Sequence, residues 1–165
     1  MNLNFPILLL ASIVPLIMGF IWYNPKTFAN PWMKAAEVSE EKLKSGNMAL
    51  IFGLTFLFSF FLATTVQFIV IHQYSLYSLF AGETINDPNT EVGAFFKSIL
   101  DRVGNNYRTF KHGVFHGTMS GLFFATPLIV INALFERRNF KYMAIHAGYW
   151  IITLALMGGI ICQFA

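Results

Sequence analysis

The 11 basic and 8 acidic residues of this 165-residue chain are confined to three short stretches, 26–44, 83–111 and 136–141. Four stretches without any charged residue remain, namely 1–25, 45–82, 112–135 and 142–165. An α-helix needs about 20 apolar residues to cross the ~30 Å of hydrocarbon in a bilayer. A soluble domain does not leave such stretches unbroken, because its surface helices need a polar face. The distribution of charge therefore predicts a helical membrane protein with four spans.

Composition supports this class and excludes others. Hydrophobic residues make up 56% of the chain, and 19 residues are Phe, which suits a protein whose solvent is lipid. The net charge of +3 does not indicate nucleic-acid binding, because the basic residues lie beside span ends, where they set topology. The single cysteine, Cys162, excludes an internal disulfide and a cysteine-based metal cage. We therefore expect the lipid bilayer as a partner, no nucleic acid and no cofactor.

We predict an all-α fold, a four-helix transmembrane bundle that forms a single integral membrane domain over 1–165. The predicted spans are about 3–23, 47–72, 112–135 and 142–164. The first is not expected to be a signal peptide, because no Lys or Arg precedes its apolar stretch and no small-residue cleavage site follows it. We expect it to be retained as a transmembrane helix.

The loop between spans two and three contains an amphipathic pattern. Its apolar residues follow the spacing of one helical face. They are Val92, Phe95, Phe96, Ile99, Leu100 and Val103. Charged residues such as Lys97 and Asp101 fall on the other side, and Gly104 follows the pattern. We predict an extra amphipathic surface helix here, lying on the membrane or across the ends of the spans.

Basic residues also predict the orientation. Loops one and three lie on the same side of the membrane and contain seven Lys and Arg residues, whereas loop two contains four. Basic residues in short loops favour the cytoplasmic side. The sequence therefore predicts cytoplasmic loops one and three, with both termini outside.

Three histidines are predicted at the outer ends of the spans. His112 and His116 are four residues apart on one helical face, a spacing that lets two imidazoles share a metal ion. His72 ends span two at the same membrane level. Convergence of the three would make a metal site, with zinc or iron as candidates. The alternative is that all three are structural histidines.

A second polar group is predicted at the cytoplasmic end. Counting back from the short turn between spans three and four places Asn132 opposite His146, with Glu136 one turn nearer the headgroups. Ionisable residues within a membrane are functional candidates by default. Asn132, Glu136 and His146 therefore form a candidate proton or ion site. The alternative is an interhelical hydrogen bond that sets the register of the two helices.

Span three also has a stripe of small residues, Gly113, Gly117 and Gly121, at intervals of four. Small residues let transmembrane helices approach closely. We predict that the stripe packs against another helix. The partner is either span four, through Gly148, or another subunit.

Several motifs resemble one bacterial membrane family. They are Gly19-x-x-Trp22-Tyr23, Trp32-Met33, Asn132-x-Leu134-Phe135-Glu136-Arg137-Arg138 and His146-x-Gly148-Tyr149-Trp150. The chain is similar over nearly its whole length to the family known as domain of unknown function 1761. The resemblance implies a small multi-span protein of the cytoplasmic (inner) membrane and implies no catalytic residues.

Three functional hypotheses follow. The first is a non-enzymatic integral membrane protein that packs as a homo-oligomer or as an accessory subunit of a membrane complex. The second is a small transporter or channel for a solute, a proton or an ion that uses Asn132, Glu136 and His146. The third is a membrane metal site at His72, His112 and His116. No P-loop, dinucleotide-binding glycine pattern or nucleophile elbow is present to indicate other chemistry.

Overall fold

The structure, a computed structural model, describes residues 3–165. Its helices, in chain order, are α1 (Phe5–Trp22), α2 (Ala29–Ala36), α3 (Glu40–Lys44), α4 (Met48–Val70), α5 (Gln73–Leu79), α6 (Glu91–Val103), α7 (Phe110–Ser120), a π-helical turn (Gly121–Ala125), α8 (Thr126–Phe135) and α9 (Phe140–Phe164). No strand occurs among these residues, so the all-α prediction is confirmed.

The described residues include four helical segments long and apolar enough to span a membrane: α1, α4, α7 to α8 taken together, and α9. Each begins at a polar side chain that accepts a hydrogen bond from a backbone N–H of the first turn, namely Asn4, Asn47, Thr109 and Asn139. Such caps satisfy donors that have no partner within the helix. The four predicted spans are thus confirmed, with bounds shifted by a few residues.

The helix α9 is the centre of the bundle. In the most apolar stretch of α9, 56% of the residues are buried, whereas the corresponding share in the other three spans is 11% to 33%. It packs against α1, α4, α7 and α8. The core lies between α1, α4 and α9 and includes Leu8, Val66, Met157 and Ile161. The other spans turn much of their surface outward, and that surface includes exposed Phe123, at 71%, and Phe135, at 86%.

A short turn joins α8 to α9 and makes them antiparallel neighbours. Arg137 adopts a left-handed backbone conformation with φ of 59°. The N–H of Arg138 then bonds the carbonyl of Ala133 at 2.8 Å, and the N–H of Arg137 bonds that of Leu134 at 3.1 Å. This pair of bonds is a Schellman motif, which satisfies the last carbonyls of α8.

Span three is interrupted by the π-helical turn Gly121–Ala125. The Thr126 hydroxyl donates to the carbonyl of Gly121 at 2.8 Å, and the Thr126 N–H bonds the same carbonyl. Pro127 follows at once, and its ring would clash with the carbonyl four residues earlier in a regular helix. The wider turn provides the space that Pro127 needs.

The predicted amphipathic helix between spans two and three is α6, Glu91–Val103. Its apolar face packs on α5, with Phe96 against Tyr77 at 5.1 Å and against Phe80 at 5.2 Å between ring centroids. Gln73, the buried first residue of α5, donates to the carbonyl of Val103 at 3.0 Å. These contacts form a small cap at the end of the bundle where α4 ends and α7 begins.

Candidate functional sites at the two ends of the helix bundle

The three predicted outer histidines lie together. His72 directly follows α4, while His112 and His116 occupy the first turns of α7. The Nε2 atoms of His72 and His112 are 2.9 Å apart. A nitrogen from each ring lies within 4.8 Å of the others. We call these three side chains the histidine triad.

The local sequence explains this convergence. Thr109 caps α7 and starts the helix so that His112 and His116 follow on one face. The His112 ring stacks on Tyr107 at 5.2 Å, and Phe115 packs against His116 at 5.3 Å. His72 is exposed, while the two α7 histidines are half-buried. The triad therefore has aromatic walls and one side open to solvent.

The three imidazole nitrogens lie close enough together that they could hold a metal ion. Tetrahedral zinc binds imidazole nitrogen at about 2.0–2.1 Å, which places neighbouring ligand nitrogens about 3.3 Å apart. The His72–His112 distance of 2.9 Å is close to that value, and a ring nitrogen of His116 lies within 4.8 Å of both. Three imidazoles leave a fourth position for water or another ligand.

The opposite end of the bundle is organised by His146 on α9. Its Nδ1 lies 3.1 Å from the hydroxyl of Tyr23, the residue that ends α1. Its Nε2 accepts a hydrogen bond from the indole N–H of Trp32 on α2, also at 3.1 Å. The Tyr142 ring lies 4.3 Å from the imidazole. We call Tyr23, Trp32, Tyr142 and His146 the aromatic cluster.

These contacts determine which nitrogen of His146 carries the proton. An indole N–H only donates, so Nε2 of His146 must offer its lone pair. In the neutral ring the proton is then on Nδ1, which donates to the Tyr23 oxygen. A second proton on the ring would remove the bond to Trp32. His146 thus joins α1, α2 and α9 as a neutral hydrogen-bonding group.

Asn132 and His146 share no hydrogen bond in the part of the chain that the structure describes. Both ring nitrogens of His146 already have partners on α1 and α2. Asn132 is exposed on α8, and its side chain makes no hydrogen bond to any residue that the structure describes. Glu136 is also exposed and lies 3.5 Å from Nε of Arg138. Asn132 and Glu136 thus make no hydrogen bond to His146 among the described residues, and the proton or ion site stays a prediction.

The glycine stripe packs against span four. A Cβ atom built on Gly117 would lie 2.8 Å from the Cα of Ala155, and one on Gly121 would lie 2.6 Å from the Cα of Ile151. Gly113 faces Gly158 and Cys162 in the same way. Of the two predicted partners, span four is correct, but the contact does not use Gly148.

Gly148 packs instead against the indole of Trp22, whose Cζ2 would lie 3.1 Å from a Cβ at that position. The Trp22 N–H donates to the carbonyl of Ile145 at 3.1 Å. The missing side chain of Gly148 therefore makes room for an aromatic ring of α1. It does not serve contact with α7 or α8.

Sequence reasoning missed most of the aromatic cluster. The sequence gives Tyr23 and Trp32 only as parts of shared motifs, and no local pattern predicts that Trp32 contacts α9. Burial, with Tyr149 and Tyr142 nearby, raises the pKa of the Tyr23 phenol far above its ordinary value. Tyr23 thus remains a neutral donor and acceptor beside His146. The one available signal was that both aromatic residues belong to the motifs shared with the resembled family.

Arg138 also holds the cluster together. Its Nη1 donates to the carbonyl of Ala36, the last residue of α2, at 3.1 Å, and its guanidinium lies 5.6 Å from the Tyr142 ring centroid. A cation at a helix C-terminus interacts favourably with the helix dipole. Arg138 therefore fixes α2, and with it Trp32, over α9.

Four spans around a central α9 define a small helical integral membrane protein. A family model described as "Protein of unknown function (DUF1761)" matches residues 7–162, and the chain belongs to that family. No curated protein and no solved structure matches the chain.

Proposed function

We propose that this membrane protein binds one divalent transition-metal ion at the histidine triad. The observation that supports the proposal is the convergence of three imidazoles, each with a ligand nitrogen within 4.8 Å of the others. Two of the three lie on α7 and His72 directly follows α4, so α4 and α7 must pack in one register for the group to form. Imidazole suits zinc, copper, nickel and iron better than magnesium or calcium.

Metal binding at such a site competes with protonation of the imidazoles. Among the described residues, His72 and His112 share a hydrogen bond, so one of the two facing nitrogens carries a proton. Metal binding at both facing nitrogens requires a lone pair from each, so this proton moves to the other nitrogen of its own ring. The affinity is therefore expected to fall at acidic pH, because protonated imidazole cannot be a ligand.

The decisive experiment is calorimetric titration of Zn²⁺ into metal-free protein in mild detergent. We expect one site in the unchanged protein and none in the His112→Ala/His116→Ala double variant. His146→Gln is the matched control, because it changes the chain's remaining histidine outside the triad. Binding that survives the double variant, or that disappears in the control alone, would contradict the proposal.

A second proposal concerns assembly. We propose that the protein is non-enzymatic and packs as an oligomer or as an accessory subunit. The support is the exposed apolar surface of span three, where Phe124 is 68% and Phe135 is 86% exposed. Lipid alone also covers such a surface in a monomer. The mass of the protein in mild detergent therefore distinguishes a lipid-covered monomer from an oligomer or a complex. A monomer with no co-purified subunit would contradict this proposal.

The transporter hypothesis has less support than these proposals, because neither Asn132 nor Glu136 forms a hydrogen bond to His146 among the described residues. For orientation we propose loops one and three in the cytoplasm and the histidine triad outside, in the inner membrane of the cell. The excess of basic residues in those loops, seven against four, supports this arrangement.

A further inference from the structure

A groove of about 860 Å³ opens near the aromatic cluster, at the end of the bundle opposite the histidine triad. Its lining residues come from α1, α2, the α3 region and α4, together with Tyr149 of α9. Ligand sites for small molecules have volumes of this order. The groove lies against exposed apolar surface, since neighbouring Phe20 is 77% and Phe52 is 52% exposed.

The dimensions of the groove match part of a lipid chain. Along α1 it extends from Tyr23 to Pro15, a difference of eight positions, which is about 12 Å at 1.5 Å per residue. Along α4 it reaches Thr55. This depth is less than half of the ~30 Å hydrocarbon core. The groove therefore begins near the headgroups and ends within one leaflet.

The charge of the residues that line the groove indicates which kind of molecule binds there. Of the described residues that line the groove, Lys42 is the only charged one. Lys42 forms no ion pair with any residue in 3–165, whereas its neighbour Lys44 lies 3.3 Å from Glu40. The deeper polar groups are already engaged, since Tyr149 donates to the carbonyl of Pro15 at 2.8 Å. The Lys42 ammonium is thus available to an anion.

We propose that this groove binds one anionic phospholipid of the bilayer, with an acyl chain along α1 and α4 and the phosphate at Lys42. An apolar channel that begins at a cation and ends within one leaflet is complementary to a lipid with a negative headgroup. This site is independent of the metal proposal, because the two lie at opposite ends of the bundle. Either can fail without affecting the other.

Native mass spectrometry in nanodiscs tests the groove itself. The probes are phosphatidylglycerol and phosphatidylcholine with identical acyl chains. A Cβ built on Gly19 meets nothing closer than the Tyr149 hydroxyl at 3.9 Å, so a leucine there fits and fills the groove. We expect Gly19→Leu to lose the retained phosphatidylglycerol. Gly53→Leu is the matched control, because Gly53 lies in open space on exposed α4 surface.

The role of charge is tested with a second pair of variants. Removing one lysine near a membrane surface is expected to lower the preference for phosphatidylglycerol about fivefold. We expect this loss in Lys42→Gln and not in Lys44→Gln. Equal retention in both leucine variants would show annular lipid only and overturn the proposal. A preference unchanged in Lys42→Gln, or a second copy of the chain released by Gly19→Leu, would also overturn it.

Discussion

Trp32 donates its indole N–H to Nε2 of His146 across 3.1 Å, which ties the short helix α2 to the central helix α9. Loop one is therefore part of the packed structure and not only a connection between spans. The same imidazole bonds Tyr23 at the end of α1. One side chain thus sets the positions of three helices.

Removing the Trp32 donor is expected to destabilise the protein. In Trp32→Phe the half-buried Nε2 of His146 loses its partner, which costs about 1–3 kcal/mol for an unsatisfied polar group. Thermal melting in detergent measures this loss. Trp150→Phe is the control, since the Trp150 indole makes no hydrogen bond to the described residues. Equal melting temperatures for the two variants would show that the bond to His146 contributes nothing.

Gly117→Leu is expected to disrupt the monomer. Any side chain at Gly117 meets the backbone of α9, with Ala155 Cα at 2.8 Å from the added Cβ. Because backbone cannot move aside as a side chain can, we expect a loss of about 3 kcal/mol or more. Gly53→Leu adds the same volume in open space and should melt like the unchanged protein. A Gly117→Leu protein with native melting temperature and size would contradict the observed helix contact.

Tyr23 is expected to remain protonated as long as the protein is folded. Its pKa is raised in the folded state by burial first, and next by Tyr149 and Tyr142. The unfolded chain ionises at about pH 10, so the stability gained from the neutral phenol is present below that pH and is lost as the pH rises above it. Phenolate absorbance of the folded protein and of Tyr23→Phe should coincide near pH 10.

After denaturation the unchanged protein should show one more phenolate than Tyr23→Phe. This comparison is the control for the titration. An additional phenolate in the folded, unchanged protein near pH 10 would show that Tyr23 is accessible to solvent and not held in the aromatic cluster.

The orientation can be tested by thiol labelling, because Cys162 is buried and Ser39 and Asn89 are exposed. With loops one and three cytoplasmic, a membrane-impermeant reagent applied from outside should label Asn89→Cys. It should not label Ser39→Cys until the membrane is opened. Labelling of Ser39→Cys but not of Asn89→Cys from outside would show the opposite topology, with the histidine triad in the cytoplasm.

The sequence alone determined what depends on local composition. In hydrocarbon each span must satisfy its backbone groups within its own helix. A long stretch without charged residues therefore predicts one membrane-spanning helix, and the chain has four such stretches. The period of Phe95, Phe96 and Ile99 likewise predicted α6. His112, His116 and the glycine stripe were assigned to the right faces of α7, because residues four apart share one face.

Only the tertiary structure decided which faces meet. Each residue turns an α-helix by about 100°, so a small error in counting across the α8–α9 turn places a side chain on the wrong face. Counting of this kind predicted Asn132 opposite His146, but the ring nitrogens of His146 bond Tyr23 and Trp32. The π-helical turn before Pro127 changes the rotation per residue within span three. Residues before and after this turn therefore do not follow one continuous helical spacing. Trp32 reaches His146 because Arg138 holds α2 over α9, a contact between distant parts of the chain that local sequence cannot encode.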